Sequence, residues 1–69
     1  MQQQKMDSRE GFSKSDCVRW AEGEPSDLPA DGVVNGWSTV QYEPDKWYCS
    51  VTWGGRYTGQ HQSRDIRHA

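Results

Sequence analysis

The chain has 69 residues, a formal net charge of −2 and a hydrophobic share of 32%, and it contains four Trp and three Tyr. A chain of this length forms one domain, and none of its apolar runs approaches the ~20 residues of a membrane-spanning helix, so we expect no membrane partner. Because the net charge is low and the aromatic residues supply large apolar areas, the composition indicates a folded domain. So small a core predicts low stability, which association would raise, so a homodimer is one candidate assembly.

The N-terminal segment, residues 1–11, is polar and contains three consecutive Gln residues. It has no periodic apolar face, which predicts a disordered tail in the free protein. The residues after Met1 lack the apolar stretch of a signal peptide, which indicates a cytoplasmic location. We expect the single domain to span residues 12–60, and residues 61–69 to form a flexible C-terminal tail.

A short helix is predicted after this tail. Ser13 can cap a helix with its hydroxyl, and Asp16 in the first turn suits the positive end of the helix dipole. The apolar stripe at helical spacing consists of Cys17, Val18, Trp20 and Ala21. Gly23 and Pro25 end the pattern. Because about ten helical residues are marginal alone in water, this helix must dock on another element.

The stretch Trp47–Trp53 alternates between apolar and polar residues and predicts a half-buried strand. Residues 43–46 precede it and contain Pro44, which predicts a four-residue turn that pairs Tyr42 with Trp47. The same register places Trp37 on the face opposite the core.

Gly54 and Gly55 follow this strand and can supply the positive φ angles of a type I′ turn, which would pair Trp53 with Arg56. The expected strands are Trp37–Tyr42, Trp47–Trp53 and Arg56–Gln60. The sequence therefore predicts an α+β fold in which one short helix packs on a three-stranded antiparallel β-meander.

The chemistry-bearing residues do not form a known catalytic or metal-binding pattern. Cys17 and Cys49 are predicted to approach each other in the core, either as reduced thiols, which the missing secretion signal favours, or as a disulfide. Their spacing does not match a zinc site, and His61 and His68 fall in the predicted tail. No nucleophile elbow, zinc-protease pair or phosphate-binding loop occurs. We therefore expect a protein that is not an enzyme and uses no cofactor and no metal.

Charge is segregated along the chain. Residues 22–45 contain six acids and no Lys or Arg. From Lys46 onward, most of the charged residues are basic. Acids keep a glycine- and proline-rich loop solvated, which is one interpretation of residues 22–36. The alternative is that Asp27 and Asp31 bind a basic groove on a partner protein, with attraction that raises the encounter rate.

Aromatic and basic residues predict a second surface. In the expected register, Trp37, Tyr48 and Tyr57 share the outer face of the sheet, and Arg56 lies at the hairpin tip. Exposed aromatic residues in a patch mark interaction sites, although Tyr on a strand is also an ordinary β-former. Beside phosphate-binding Arg side chains, the same patch would suit single-stranded nucleic acid. The acidic balance of the chain disfavours nucleic acid.

We interpret the chain as a small, non-enzymatic binding protein that acts as a regulator or inhibitor through protein–protein interaction. Small regulators of phages and mobile elements are similar in size and class. The predicted binding residues are Trp37, Tyr48, Arg56, Tyr57, Asp27 and Asp31. The alternative is a nucleic-acid-binding regulator, single-strand or winged in type, that uses the aromatic and basic hairpin.

Overall fold

The computed structural model describes residues 4–23 and 29–69. These residues form β1 (Lys5–Met6), β2 (Ser8–Arg9), β3 (Phe12–Ser13), β4 (Cys17–Trp20), β5 (Gly32–Val40), β6 (Glu43–Trp53), β7 (Tyr57–His61), a 3-10 turn (Ser63–Asp65) and β8 (Ile66–His68). The main sheet is antiparallel with the order β7-β6-β5-β4-β8, and β1 also pairs with β5. Strands β2 and β3 form a separate small hairpin.

The predicted helix is absent from the described residues, and the α+β fold class is wrong because the chain is mostly β. Ser13 and Asp16 close a tight turn in which the Ser13 N–H donates to Asp16 Oδ2 at 2.8 Å. Between them Ser15 has a φ of 78°, a left-handed angle that a helix does not contain. The next residues form β4, whose pairing with β5 and β8 gives its backbone polar groups the partners that a marginal helix could not keep in water.

The β5–β6 hairpin has a shorter turn than predicted. Trp37 pairs with Cys49 and Thr39 pairs with Trp47, so the chain reverses at residues 41–42. Residues 43–46, which were expected to form the turn, begin β6 instead. Pro44 is accommodated there because β7 pairs only with residues 49–53 and leaves the start of β6 as an edge.

A β-bulge in β5 changes which side chains face the core. Val34 pairs with Val51, but the next paired residue is Gly36, opposite Ser50, so Asn35 is an extra residue. Gly36 has a φ of +127°, which a residue with a side chain rarely adopts. The extra residue allows Val34 and Trp37 both to point inward. Trp37 is only 2% exposed, and its Nε1–H donates to the Phe12 carbonyl oxygen at 2.9 Å.

The core lies on one face of the curved main sheet. It consists of Phe12, Val18, Val34, Trp37, Cys49, Val51, Trp53 and Ile66, with Trp20 and Trp47 packed against it. Cys49, Val51 and Trp53 alternate inward as predicted. Gly32 leaves room for this packing, because a Cβ there would lie 2.6 Å from Val51 Cγ1. No helix in the described ranges is long and apolar enough to cross a membrane.

The two cysteines do not meet. Cys17 is exposed, Cys49 is fully buried, and both are free thiols. Burial raises the pKa of Cys49 to about 11. The predicted approach of these residues depended on packing the helix against the sheet, whereas in β4 Cys17 points away from the core side that Val18 occupies.

Both segments that were expected to be tails contribute strands. Residues 5–6 pair with β5, and residues 66–68 pair with β4. Ile66 is 3% exposed and belongs to the core. The C-terminal segment is thus held by burial of Ile66, by stacking of the His68 ring on Phe12 and by the pairing of its backbone with β4.

Candidate functional site

The structure separates the predicted aromatic patch. Trp37 lies in the core, and Tyr48 is half-buried on the outer face of the sheet. Tyr57 pairs with Trp53, so its side chain lies on the core side of the sheet, at the edge, and is 47% exposed. The expected joint surface of these three residues is therefore wrong, because the observed register turns each of them to a different environment.

The β6–β7 turn explains the position of Tyr57. Gly54 and Gly55 have φ angles of 60° and 70°, as a type I′ turn requires, and the Arg56 N–H donates to the Trp53 carbonyl oxygen at 3.1 Å. Arg56 is an additional residue before the ladder begins, so Trp53 pairs with Tyr57 rather than with Arg56. That one-residue shift moves Tyr57 to the opposite face from the one predicted.

The structure does bring one acidic candidate to this turn. The Gly54 N–H donates to the Asp31 carbonyl oxygen at 2.8 Å, so Asp31 lies beside the hairpin that carries Arg56 and Tyr57. Asp31 and Arg56 are both exposed. Asp27 lies outside the described residues. We call the group of Asp31, Arg56 and Tyr57 the turn surface.

Strand β7 continues from the turn surface along an open edge. Among the residues that the structure describes, β6 is the one strand that pairs with β7. Its five residues, Tyr57-Thr-Gly-Gln-His61, include no proline and no Lys, Arg, Asp or Glu. Edge strands usually carry charges or proline that prevent pairing with another chain. The opposite edge, β8, has only three residues and includes Arg67.

A cluster of rings fixes the end of β7. The Trp53 Nε1–H donates to His61 Nε2 at 3.0 Å, which requires the neutral imidazole with its proton on Nδ1. Trp20 stacks on Trp53 with ring centroids 4.0 Å apart and planes 9° apart, and the His61 ring meets both edge-on. Burial lowers the pKa of His61, although nearby Asp65 raises it in part. Sequence reasoning missed this cluster because His61 was assigned to a tail.

The outer face of the sheet is polar and ordered by side-chain hydrogen bonds. Asn35 Nδ2 donates to Thr52 Oγ1 at 2.7 Å, and the hydroxyl groups of Thr52 and Thr58 lie 3.1 Å apart. These bonds connect three neighbouring strands beside Val33, which is 45% exposed on the same face.

Within the described ranges, no group of three or more His, Cys, Asp or Glu side chains could hold a metal ion. Comparisons with protein-family models, curated proteins and solved structures found no match.

Proposed function

We propose that this chain is a small, non-enzymatic binding protein that acts in the cytoplasm as a regulator or inhibitor through protein–protein interaction. Strand β7 would pair with an extended segment of the partner, and the turn surface would contact residues beside that segment. The observation that carries the proposal is the open, uncharged edge of β7. Partners that add a strand to a sheet gain affinity from backbone hydrogen bonds and specificity from alternate side chains.

The side chains around β7 suit this mode of binding. Tyr57 is exposed at the edge and offers a large, rigid contact area, and Arg56 adds hydrogen-bond donors. Between Tyr57 and His61, Gly59 has no side chain, and the rings of both neighbours lie over it. The hydrogen bond from Trp53 to His61 holds the far end of the strand. The edge is therefore preorganised, which reduces the entropy that binding costs.

Nucleic acid is the weaker candidate for this edge. A single-strand binder needs several aromatic side chains on one accessible face. Trp37 is in the core, and Tyr48 and Tyr57 lie on opposite sides of the sheet. The net charge of −2 adds no general attraction for phosphates.

The proposal is tested by capture of a partner followed by hydrogen exchange. The tagged protein is incubated with a native lysate, with and without nuclease, and retained proteins are identified by mass spectrometry. The purified partner is then added, and amide exchange is followed along β7. We expect nuclease-resistant capture and slower exchange of the β7 amides, because strand addition gives the free edge hydrogen-bond partners.

Variants at the edge separate this mode from other contacts. Gln60→Lys places a charge on the exposed edge strand, and Tyr57→Ala removes the aromatic contact; each should weaken binding about tenfold or more. Gln41→Lys, an equally exposed substitution at the opposite hairpin turn, is the matched control and should bind normally. Normal binding by both edge variants, or capture that nuclease abolishes, would reject the proposal. Recovery of a second copy alone, confirmed by light scattering, would reject a heterologous partner.

A further inference from the structure

The outer face of the sheet contains an open cleft above the β-bulge. Its volume is about 420 Å³, within the usual range for small-molecule sites. Gly36 has no side chain at its floor, and the bulge interrupts the regular ladder there. The polar side chains that line it are Lys5, Asp7, Lys14, Asn35, Ser38, Ser50 and Gln60.

Two elements bring lysines to this cleft. Lys5 on β1 pairs with Ser38, which places its side chain on the outer face beside β5. Two backbone hydrogen bonds hold Lys14 beside the cleft. The Lys14 N–H donates to the Asp7 carbonyl oxygen at 2.7 Å, and the N–H of the next residue, Ser15, donates to the Val34 carbonyl oxygen at 2.8 Å. Neither ammonium group has a carboxylate within 4.0 Å among the described residues. The acid in the cleft is Asp7.

A second pair of basic residues lies on the outer face at the other end of β5. Arg19 on β4 and Arg67 on β8 are directly opposite each other, and both are exposed. Like charges in this position destabilise a sheet. Neither Arg lines the cleft, because β4 pairs with Gly32 and Val33 at one end of β5, whereas Lys5 lies opposite Ser38. The cleft itself therefore contains two basic side chains, Lys5 and Lys14, and one acid, although the whole chain has a net charge of −2. Such a local arrangement attracts anions even when the whole molecule is acidic.

We propose that this cleft binds a phosphate-bearing ligand of about nucleotide size. The ammonium groups of Lys5 and Lys14 bind the phosphate oxygens, since charge-assisted hydrogen bonds to phosphate are among the strongest in proteins. Asn35, Ser50 and Gln60 supply donors and acceptors for the remainder of the ligand. Gln60 of β7 borders this cleft, but the site rests on Lys5 and Lys14, which lie outside β7, and it does not depend on the proposed function.

The test is an NMR titration of the labelled protein with three probes in parallel: inorganic phosphate, ATP without metal, and an oligothymidylate of about 12 nucleotides. We expect saturable shifts of the Asn35, Gly36 and Ser50 amide signals. Saturation by ATP supports a nucleotide-sized ligand, whereas tighter binding of the oligonucleotide than of ATP would overturn that assignment. Saturation by phosphate at the same concentration as ATP identifies a site for the phosphate group itself.

The double variant Lys5→Ala/Lys14→Ala should weaken binding of the best probe about tenfold or more. Its matched control, Lys46→Ala/Arg64→Ala, removes the same charge from exposed residues that do not line the cleft and should bind within about twofold of the original protein. The absence of saturable shifts with all three probes would overturn the proposal. Equal weakening by both double variants would also overturn it, because general electrostatic attraction would then explain the binding.

Discussion

At the scale of single residues, the hydrogen bond from Trp53 to His61 connects the core to the end of β7, the proposed binding edge. Trp53 is fully buried, and its Nε1–H needs an acceptor that only the neutral imidazole provides. Protonation of His61 would remove that acceptor and place a charge among Trp20, Trp53 and the charged groups that line the adjacent cleft. These charged groups are Glu22, Arg64 and Asp65.

We predict that stability falls as the pH decreases below about 6.5, the ordinary pKa of histidine. The pKa of His61 is lowered in the folded state, so the unfolded chain takes up this proton first and acidification favours unfolding. Replacing His61 with Gln keeps an acceptor for Trp53 but removes the titration. Urea unfolding at several pH values should therefore show a difference between the two proteins on the order of 1 kcal/mol that develops on acidification.

A constant difference between the original protein and His61→Gln across this pH range would show that His61 does not titrate as described. All other residues are identical in the two proteins, so the difference reports on His61. The measurement also bears on function, because loss of the Trp53 contact would loosen the end of β7.

At the scale of elements, the bulge at Asn35 is the feature that decides the register of the sheet. With Val34 facing the core, regular alternation through β5 would turn Trp37 outward. The sequence analysis also predicted an outward Trp37, but from a four-residue turn at residues 43–46 that the structure does not contain. The extra residue reverses the alternation and allows Val34 and Trp37 to share the core. Sequence alternation alone does not reveal such an insertion, because Asn35-Gly36 is equally typical of a turn.

We predict that deletion of Asn35 destabilises the protein by about 3 kcal/mol or more, the usual cost of removing a large aromatic side chain from a core. Denaturant unfolding, followed by near-ultraviolet circular dichroism of the Trp residues, measures this loss. Asn35→Ser keeps the chain length and is the control, with a much smaller effect. Equal stability of the deletion variant and the control would show that the bulge is not needed to bury Trp37.

Strand β4 was predicted as part of a helix. The apolar residues of this segment, Cys17, Val18, Trp20 and Ala21, fit a short helix and a short strand almost equally well, so the local pattern could not distinguish the two structures. The partners on β5 and β8 decided the outcome, and both are distant in sequence. In contrast, the three strands predicted within residues 37–60 overlap β5, β6 and β7, where alternation and glycine turns are stronger signals. Gln41, Tyr42 and Arg56, which were included in those predicted strands, lie in turns.

At the scale of the whole molecule, the two free thiols report on opening of the fold. We predict that Cys17 reacts rapidly with a disulfide reagent, whereas Cys49 reacts only when the core opens. Burial raises the pKa of Cys49 to about 11, so little thiolate forms at neutral pH. The variant Cys17→Ser isolates the Cys49 reaction, which should be at least about a thousandfold slower than in the unfolded chain.

Reaction of Cys49 in the folded protein at the unfolded rate would contradict the packing of the core. A disulfide between the two cysteines in the purified protein would contradict their placement on separate faces of the sheet. Both results are readily detected by mass spectrometry of the labelled chain.

The sequence by itself determined the inward alternation of β6 and the glycine turn that follows it. Alternation in Trp47–Trp53 placed Cys49, Val51 and Trp53 inward, and the two glycines after it specified a turn, because both signals arise from neighbouring residues. The tertiary structure alone decided that residues 17–20 form a strand, that Trp37 is buried and that the C-terminal segment closes the sheet. Those outcomes depend on pairing between segments that are distant in sequence and on one inserted residue in β5. A local sequence pattern does not report the energy of such long-range pairing.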